Sequence, residues 1–172
     1  MHWAGVTLLV VLTATRLPAQ ELLPPPLTVQ SLGHMSRCQL EDLYRRSAPA
    51  PELCGYLPGW AKGRGCSYSK ASQKIWKGKE FHDCELINHW ACKVKGVKAQ
   101  VAPGESWLDG GPALVMDYRG SSPVVWRNVR DELREVAPGL YLGAMFKDQH
   151  GKAEFVRFFV LEAGCVKWDG SR

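Results

Sequence analysis

Leu140-Tyr141-Leu142-Gly143-Ala144-Met145-Phe146, the turn signal Asp148-Gln149-His150-Gly151, and Glu154-Phe155-Val156-Arg157-Phe158-Phe159-Val160-Leu161 form the stretch that decides the fold. Two apolar runs of strand length flank a cluster of turn-forming residues, which is the pattern of a β-hairpin. Phe155, Phe158, Phe159 and Val160 leave the second run apolar on both faces. A strand of that kind needs cover on two sides and is expected at the centre of the fold.

Working back along the chain, Pro138-Gly139 closes a segment that reads two ways. Ser122 can cap a helix with Pro123 at its first position, and Trp126, Val129, Leu133 and Val136 recur at three and four residues, so periodicity alone predicts a helix over 121–136. As a strand, the same residues set Arg130, Glu132 and Arg134 in one row. Further back, residues 97–101 alternate apolar and polar, and residues 113–118 follow the turn signal Asp109-Gly110-Gly111, which predicts a second hairpin. Residues 75–81 are short, charged and broken by Gly78, as an exposed strand would be. Residues 55–65 read as a loop or as a glycine-broken strand on a curved sheet.

One amphipathic helix is expected over 36–47. Ser36 and Gln39 form a capping box, Leu40, Leu43 and Tyr44 make the apolar stripe, and Ala48-Pro49-Ala50-Pro51 stops it. Residues 20–35, with Pro24-Pro25-Pro26, read as a linker. Residues 1–19 read as a secretory signal peptide, an apolar block followed by Leu17-Pro18-Ala19 with cleavage after Ala19, which places the chain in the periplasm or outside the cell. No transmembrane segment is expected in the processed chain.

The 172 residues suit one domain, 36–172 once the leader and linker are set aside, and 45% apolar with 23% charged residues excludes a disordered chain. The formal net charge is +5. Basic residues gather at Lys62, Arg64, Lys70, Lys74, Lys77 and Lys79, then at Lys93, Lys95 and Lys98, in a spacing that fits no nucleic-acid module, so no nucleic-acid partner is expected and the run reads as a solvated face.

An exported chain with six cysteines favours disulfides, and six cysteines allow 15 pairings. The local pairs Cys54–Cys66 and Cys84–Cys92 are the simplest, each worth ~2–3 kcal/mol by the chain-entropy model. His82, Cys84, His89 and Cys92 are all zinc-ligand types, yet H-x-C-x4-H-x2-C matches no common finger, so no metal is expected.

Catalytic templates fare poorly. Gly104-Glu105-Ser106-Trp107-Leu108 ends in Leu where a nucleophile elbow needs a small residue, and no phosphate-cradling glycine motif occurs, so no catalytic residue and no cofactor is assigned. The polar residues worth testing are Asp117, Arg130, Asp131, Glu132 and Arg134, for which ion pairing is the expected role. The mature chain keeps six tryptophans. With neighbouring aromatics they supply candidates for lining an apolar pocket: Trp76, Trp107, Tyr118, Trp126, Tyr141 and Phe158.

From Leu108-Asp109-Gly110 to Leu161-Glu162 the chain resembles lipocalin-like domains of exported bacterial proteins. Pro138-Gly139-Leu140-Tyr141-Leu142-Gly143 followed by Phe158-Phe159-Val160-Leu161-Glu162 is similar to their closing hairpin, and Pro58-Gly59-Trp60 is a loose counterpart of the lipocalin G-x-W. The resemblance implies a cup for a small, mostly apolar ligand, with no catalytic residues, and it implies a strand over 127–136. The expectation is therefore a mainly β protein: a small antiparallel lipocalin-like barrel, or a strongly curved sheet, with one N-terminal amphipathic helix, acting as a monomer. Two other classes stay open, an exported hydrolase-type enzyme using Asp117 and the Arg130–Glu132 cluster, and an interaction module using the basic face from Lys70 to Lys79.

Overall fold

The computed structural model describes residues 26–62, 74–120 and 123–164. The signal-peptide reading of 1–19 falls outside them, as do Cys66 and Lys70. Two helices, α1 (Val29–His34) and α2 (Arg37–Arg46), precede nine strands: β1 (Ala48–Pro49), β2 (Gly55–Ala61), β3 (Trp76–His82), β4 (Glu85–Trp90), β5 (Lys95–Glu105), β6 (Pro112–Asp117), β7 (Val129–Ala137), β8 (Leu140–Gln149) and β9 (Lys152–Glu162). From β2 to β9 each strand lies antiparallel to the next, and β9 returns to pair with β2. The result is a closed, eight-stranded, up-and-down barrel, with β1 adding two residues beside β7. Closure leaves the long strands without bare edges. No helix among the described residues is long and apolar enough to cross a membrane.

The deciding hairpin is β8–β9. His150 (φ 56°) and Gly151 (φ 82°) fill a two-residue turn whose handedness matches the strand twist, and Asp148 accepts the Gly151 N–H at 2.7 Å. Both faces of this hairpin are buried, for two different reasons. Tyr141, Phe159 and Leu161 point into the barrel, where they meet Leu57, Phe81, Leu86, Leu114 and Leu133. Leu142, Ala144, Phe158 and Val160 point outward and are covered by Leu32, Leu40, Leu43 and Tyr44 of the helices. The helices act as a lid on the barrel's flank.

The structure decides several open or mistaken expectations. Of the two readings of 121–136 the strand holds over residues 129–137, and only Val124–Trp126 make a single 3-10 turn. The three-and-four spacing came from combining Trp126, which lies before the strand, with the inward-facing Val129 and Leu133; backbone partners on both β6 and β8 then fix the extended form. The stretch 75–81 is exposed only in part: Ile75 and Lys77 are exposed and Glu80 faces outward, but Lys79 and Phe81 are buried inside the barrel. The supposed linker contains α1, held by a capping box between Thr28 and Ser31 and anchored by the fully buried Leu32, so there are two leading helices instead of one. Cys84 and Cys92 are exposed and unbonded. They sit at opposite ends of β4, and a strand rising ~3.3 Å per residue holds them far beyond the ~4.4–6.8 Å that a disulfide needs between Cα atoms. Cys54 is exposed and unbonded among the described residues, and Cys66, its expected partner, lies outside them.

One close approach couples this frame to the interior. A Cβ added at Gly143 would lie 2.1 Å from the Phe159 ring, which packs edge-on against Trp76 with centroids 5.7 Å apart. Gly143→Ala is expected to cost about 1–3 kcal/mol through overpacking, read as a lower urea midpoint with an unchanged slope.

Candidate functional site

The strands bring their inward residues together around a cavity of about 270 Å³ at the end of the barrel reached by the β4–β5 and β6–β7 connections. Its walls are aromatic: Trp76, Trp90, Tyr118, Trp126 and Phe159. Trp90 and Trp126 meet at 5.7 Å between centroids, and Tyr118 and Trp126 at 6.1 Å. Exposed Ile75 and Arg157 stand at the rim, and Met145 completes the wall beside Asp131.

The polar groups in this cavity are joined in one network. The Lys79 ammonium donates to Asn88 Oδ1 (3.0 Å), the Tyr118 hydroxyl (2.6 Å) and Asp131 Oδ2 (2.8 Å), which uses all three of its donors. Tyr118 in turn donates to Asp131 Oδ2 at 3.0 Å. Burial, followed by the neighbouring Asp131 carboxylate, pushes the Tyr118 phenol well above its ordinary pKa and keeps it a donor. Asn88 accepts from Trp76 Nε1 (3.0 Å) and donates to the Val97 carbonyl (2.8 Å) and to Tyr118 (3.2 Å). One oxygen is left over: Asp131 Oδ1, buried, has no hydrogen-bond partner among the described residues. The Lys79 ammonium also lies 5.3–5.5 Å from the ring centres of Trp76, Tyr118 and Phe159, so aromatic faces surround the charge.

Asn88 does more than bond. The β4–β5 register shifts there, leaving Val97 as the extra residue of a bulge at φ 62°. A β-branched residue in that region is strained, by about 1–3 kcal/mol, and persists only where neighbours over-determine it. The Asn88 amide on the Val97 carbonyl is one such constraint.

The named candidates separate along these faces. Trp76, Tyr118 and Trp126 line the cavity; Tyr141 belongs to the packed interior; Phe158 lies outside the barrel under the helices. Trp107 stacks outside on the Arg130 guanidinium at 4.6 Å. The polar cluster is divided by strand alternation, Asp131 facing in and Arg130, Glu132 and Arg134 facing out. Glu132 is fully buried and accepts from Ser106 Oγ (2.5 Å), the Trp107 N–H (2.7 Å) and Arg130 Nε (3.0 Å), so it anchors the β5–β6 turn. Asp117 is paired with Arg119 at 2.5 Å; burial works against its ionisation, but the Arg119 side chain and N–H outweigh it and hold its pKa below the ordinary value. No second carboxylate among the described residues lines the cavity beside Asp131.

Lys79, Asn88, Trp90 and Phe159 were missed as site residues. Lys79 read as one more basic surface residue, yet it lies two residues before Phe81 and so shares the inward face, as Asn88 does with Leu86. Outside, Glu80 gathers Lys95 (2.6 Å), His89 (2.6 Å) and His82 (3.1 Å). The Lys95 and His89 hydrogen bonds lower its pKa from 4.5 to about 2. A depressed carboxylate stabilises the fold above its unfolded pKa and loses that contribution as pH falls through the folded value. Glu80→Gln is therefore expected to flatten the acid limb of the stability curve between pH 4.5 and about 2, measured by thermal melts across that range.

No family model and no curated protein matches the chain. Among solved structures it is similar to a crystal structure of a protein from Thermomonospora curvata, 23% identical, covering 78% of this chain and 93% of that one with a TM-score of 0.53, a likeness that carries the fold alone.

Proposed function

We propose that the chain is an exported, lipocalin-like binding protein that holds a small, mostly apolar molecule in the cavity at the open end of its barrel. The observation that carries this reading is the cavity itself, about 270 Å³, with aromatic walls and a few convergent polar groups. Its size favours a guest of one or two rings. The hydrogen-bond network supports a finer expectation: every donor and acceptor at Lys79, Tyr118 and Asn88 is used, while Asp131 Oδ1 is not. A guest carrying a single hydrogen-bond donor satisfies it. The leader-like residues 1–19 support export.

Calorimetric titration with indole and with benzofuran, its oxygen isostere, tests both levels. Indole is expected to bind about tenfold more tightly, the value of one hydrogen bond to a charged acceptor. Equal affinities would remove the role of Asp131 and leave the cavity reading standing; no binding of either would remove the binding-protein reading. Native mass spectrometry of protein purified from its host, with and without reductant, would report leader cleavage, any disulfide and any co-purified guest.

A further inference from the structure

The large apolar side chains left exposed among the described residues are unevenly placed. Ile75 (63%), Val94 (55%), Val124 (66%) and Val125 (74%) belong to connections at one end of the barrel, while Tyr56 and Trp107 come from elsewhere in the chain, Trp107 lining an outer groove that reaches Val124. Ile75 leads into β3, Val94 joins β4 to β5, and Val124 and Val125 belong to the 3-10 turn between β6 and β7. These connections surround a single opening, because Ile75, Trp90 and Trp126 line the same cavity and the last two rings are in contact. Single exposed valines are ordinary; four aliphatic tips around one mouth are not.

Charge follows the same axis. The described connections at this end carry Lys62, Lys74, Lys93, Arg119 and Arg127 and no carboxylate, whereas those at the far end carry Glu52, Asp83 and Asp109 and no Lys or Arg. Two of these charges are balanced, Arg119 by Asp117 at the mouth and Asp109 by Arg134 at the far end, and Asp148 at the end of β8 accepts the N–H of Gly151. What is left keeps the same sense, with more lysine and arginine than carboxylate where the barrel opens and Glu52 and Asp83 where it is filled.

We infer that the open end docks on an anionic lipid surface, with Val94, Val124, Val125 and Ile75 entering the headgroup layer and Lys74 and Lys93 meeting lipid phosphate. Aliphatic tips flanked by basic residues combine the two contributions that hold proteins at such an interface, buried apolar area and attraction to negative headgroups. A lipid surface suits this geometry better than a protein partner, since the apolar atoms sit on separate loop tips around a hole and form no continuous flat patch. The mouth of the cavity then faces the bilayer, and an apolar guest passes between them without crossing water. The docking surface stands on its own observations and does not require that the cavity take a guest.

The test is flotation of the full chain with vesicles of phosphatidylcholine alone or of equal parts phosphatidylcholine and phosphatidylglycerol, at low and high salt. The expected result is recovery with the anionic vesicles, reduced by salt, roughly tenfold weaker for Val124→Ser/Val125→Ser and for Lys74→Glu/Lys93→Glu. All four positions are exposed, so these variants are expected to melt with the parent, and circular dichroism checks that they do. Absence of vesicle binding, equal binding to neutral vesicles, or binding unchanged in both variants would overturn the proposal. The last outcome would assign binding to residues 1–19 or another surface. Indole titration of the same variants is expected to be unchanged, so loss of docking and loss of guest binding are read separately.

Discussion

Lys79→Met is expected to cost the fold about 3–5 kcal/mol, because it leaves the Asp131 carboxylate buried without its cation. Lys79 is 2% exposed and Asp131 5%, so the carboxylate left behind has little contact with solvent to make up for the lost bond. The same substitution strips a donor from Asn88 and from Tyr118, both of which have the rest of their bonding fixed. Against a typical total of about 5–15 kcal/mol, this is a large share. The double variant Lys79→Met/Asp131→Leu is expected to recover much of the loss, since two apolar side chains in place of a buried pair are often neutral or better. Urea unfolding of the parent, both single variants and the double variant closes the cycle. A loss below about 1 kcal/mol for Lys79→Met would mean that the network is wetted and behaves like a surface pair. The double variant keeps the barrel but removes the acceptor, so indole should lose its advantage over benzofuran in it.

Arg134→Met is expected to cost about 3–4 kcal/mol, an effect of similar origin at a different place. Arg134 is 2% exposed and ties three parts of the chain together. Its guanidinium meets the Asp109 carboxylate through both nitrogens (2.7 and 2.9 Å), the Pro112 carbonyl (3.0 Å), and the carbonyls of Tyr44 (2.9 Å) and Arg45 (3.2 Å) at the end of α2. The Tyr44 carbonyl also takes the Ser47 N–H at 3.2 Å, and a cation beside the terminal carbonyls of a helix interacts favourably with its dipole. Arg134 lies over the Tyr44 ring at 4.5 Å as well. Loss of the side chain releases α2 from the barrel, so limited proteolysis near residues 46–48 should accelerate along with the drop in the urea midpoint. Arg134→Lys is expected to recover little, because a single ammonium cannot reproduce the planar fork.

The frame of this molecule was legible because β-strand signals are local. The turns at Asp109-Gly110-Gly111 and Asp148-Gln149-His150-Gly151, and the two-faced run from Phe155 to Leu161, each specify their own geometry. The helical spacing over 121–136 misled because it joined residues that end up in different elements, and only pairing with β6 and β8 separates them. The site was half legible. Trp76, Tyr118 and Trp126 stood out as aromatic, but Asp131 was grouped with Arg130 and Glu132 by proximity in sequence, which a strand's alternation undoes. Lys79 stayed hidden because a lysine's charge argues for the surface, and its burial depends on Asp131, 52 residues away. The Cys84–Cys92 pairing failed for a related reason: nearness along the chain is distance when the intervening residues are extended.

The closure of the cylinder and the wall of the cavity are the same piece of chain. Among the described residues β2 meets β9 through Gly59 with Leu161, Trp60 with Val160 and Ala61 with Phe159, and the Lys62 N–H extends the join to the Phe158 carbonyl at 3.0 Å. Ala61 and Phe159 also border the cavity. A guest seated there therefore presses on the two strands that shut the tube.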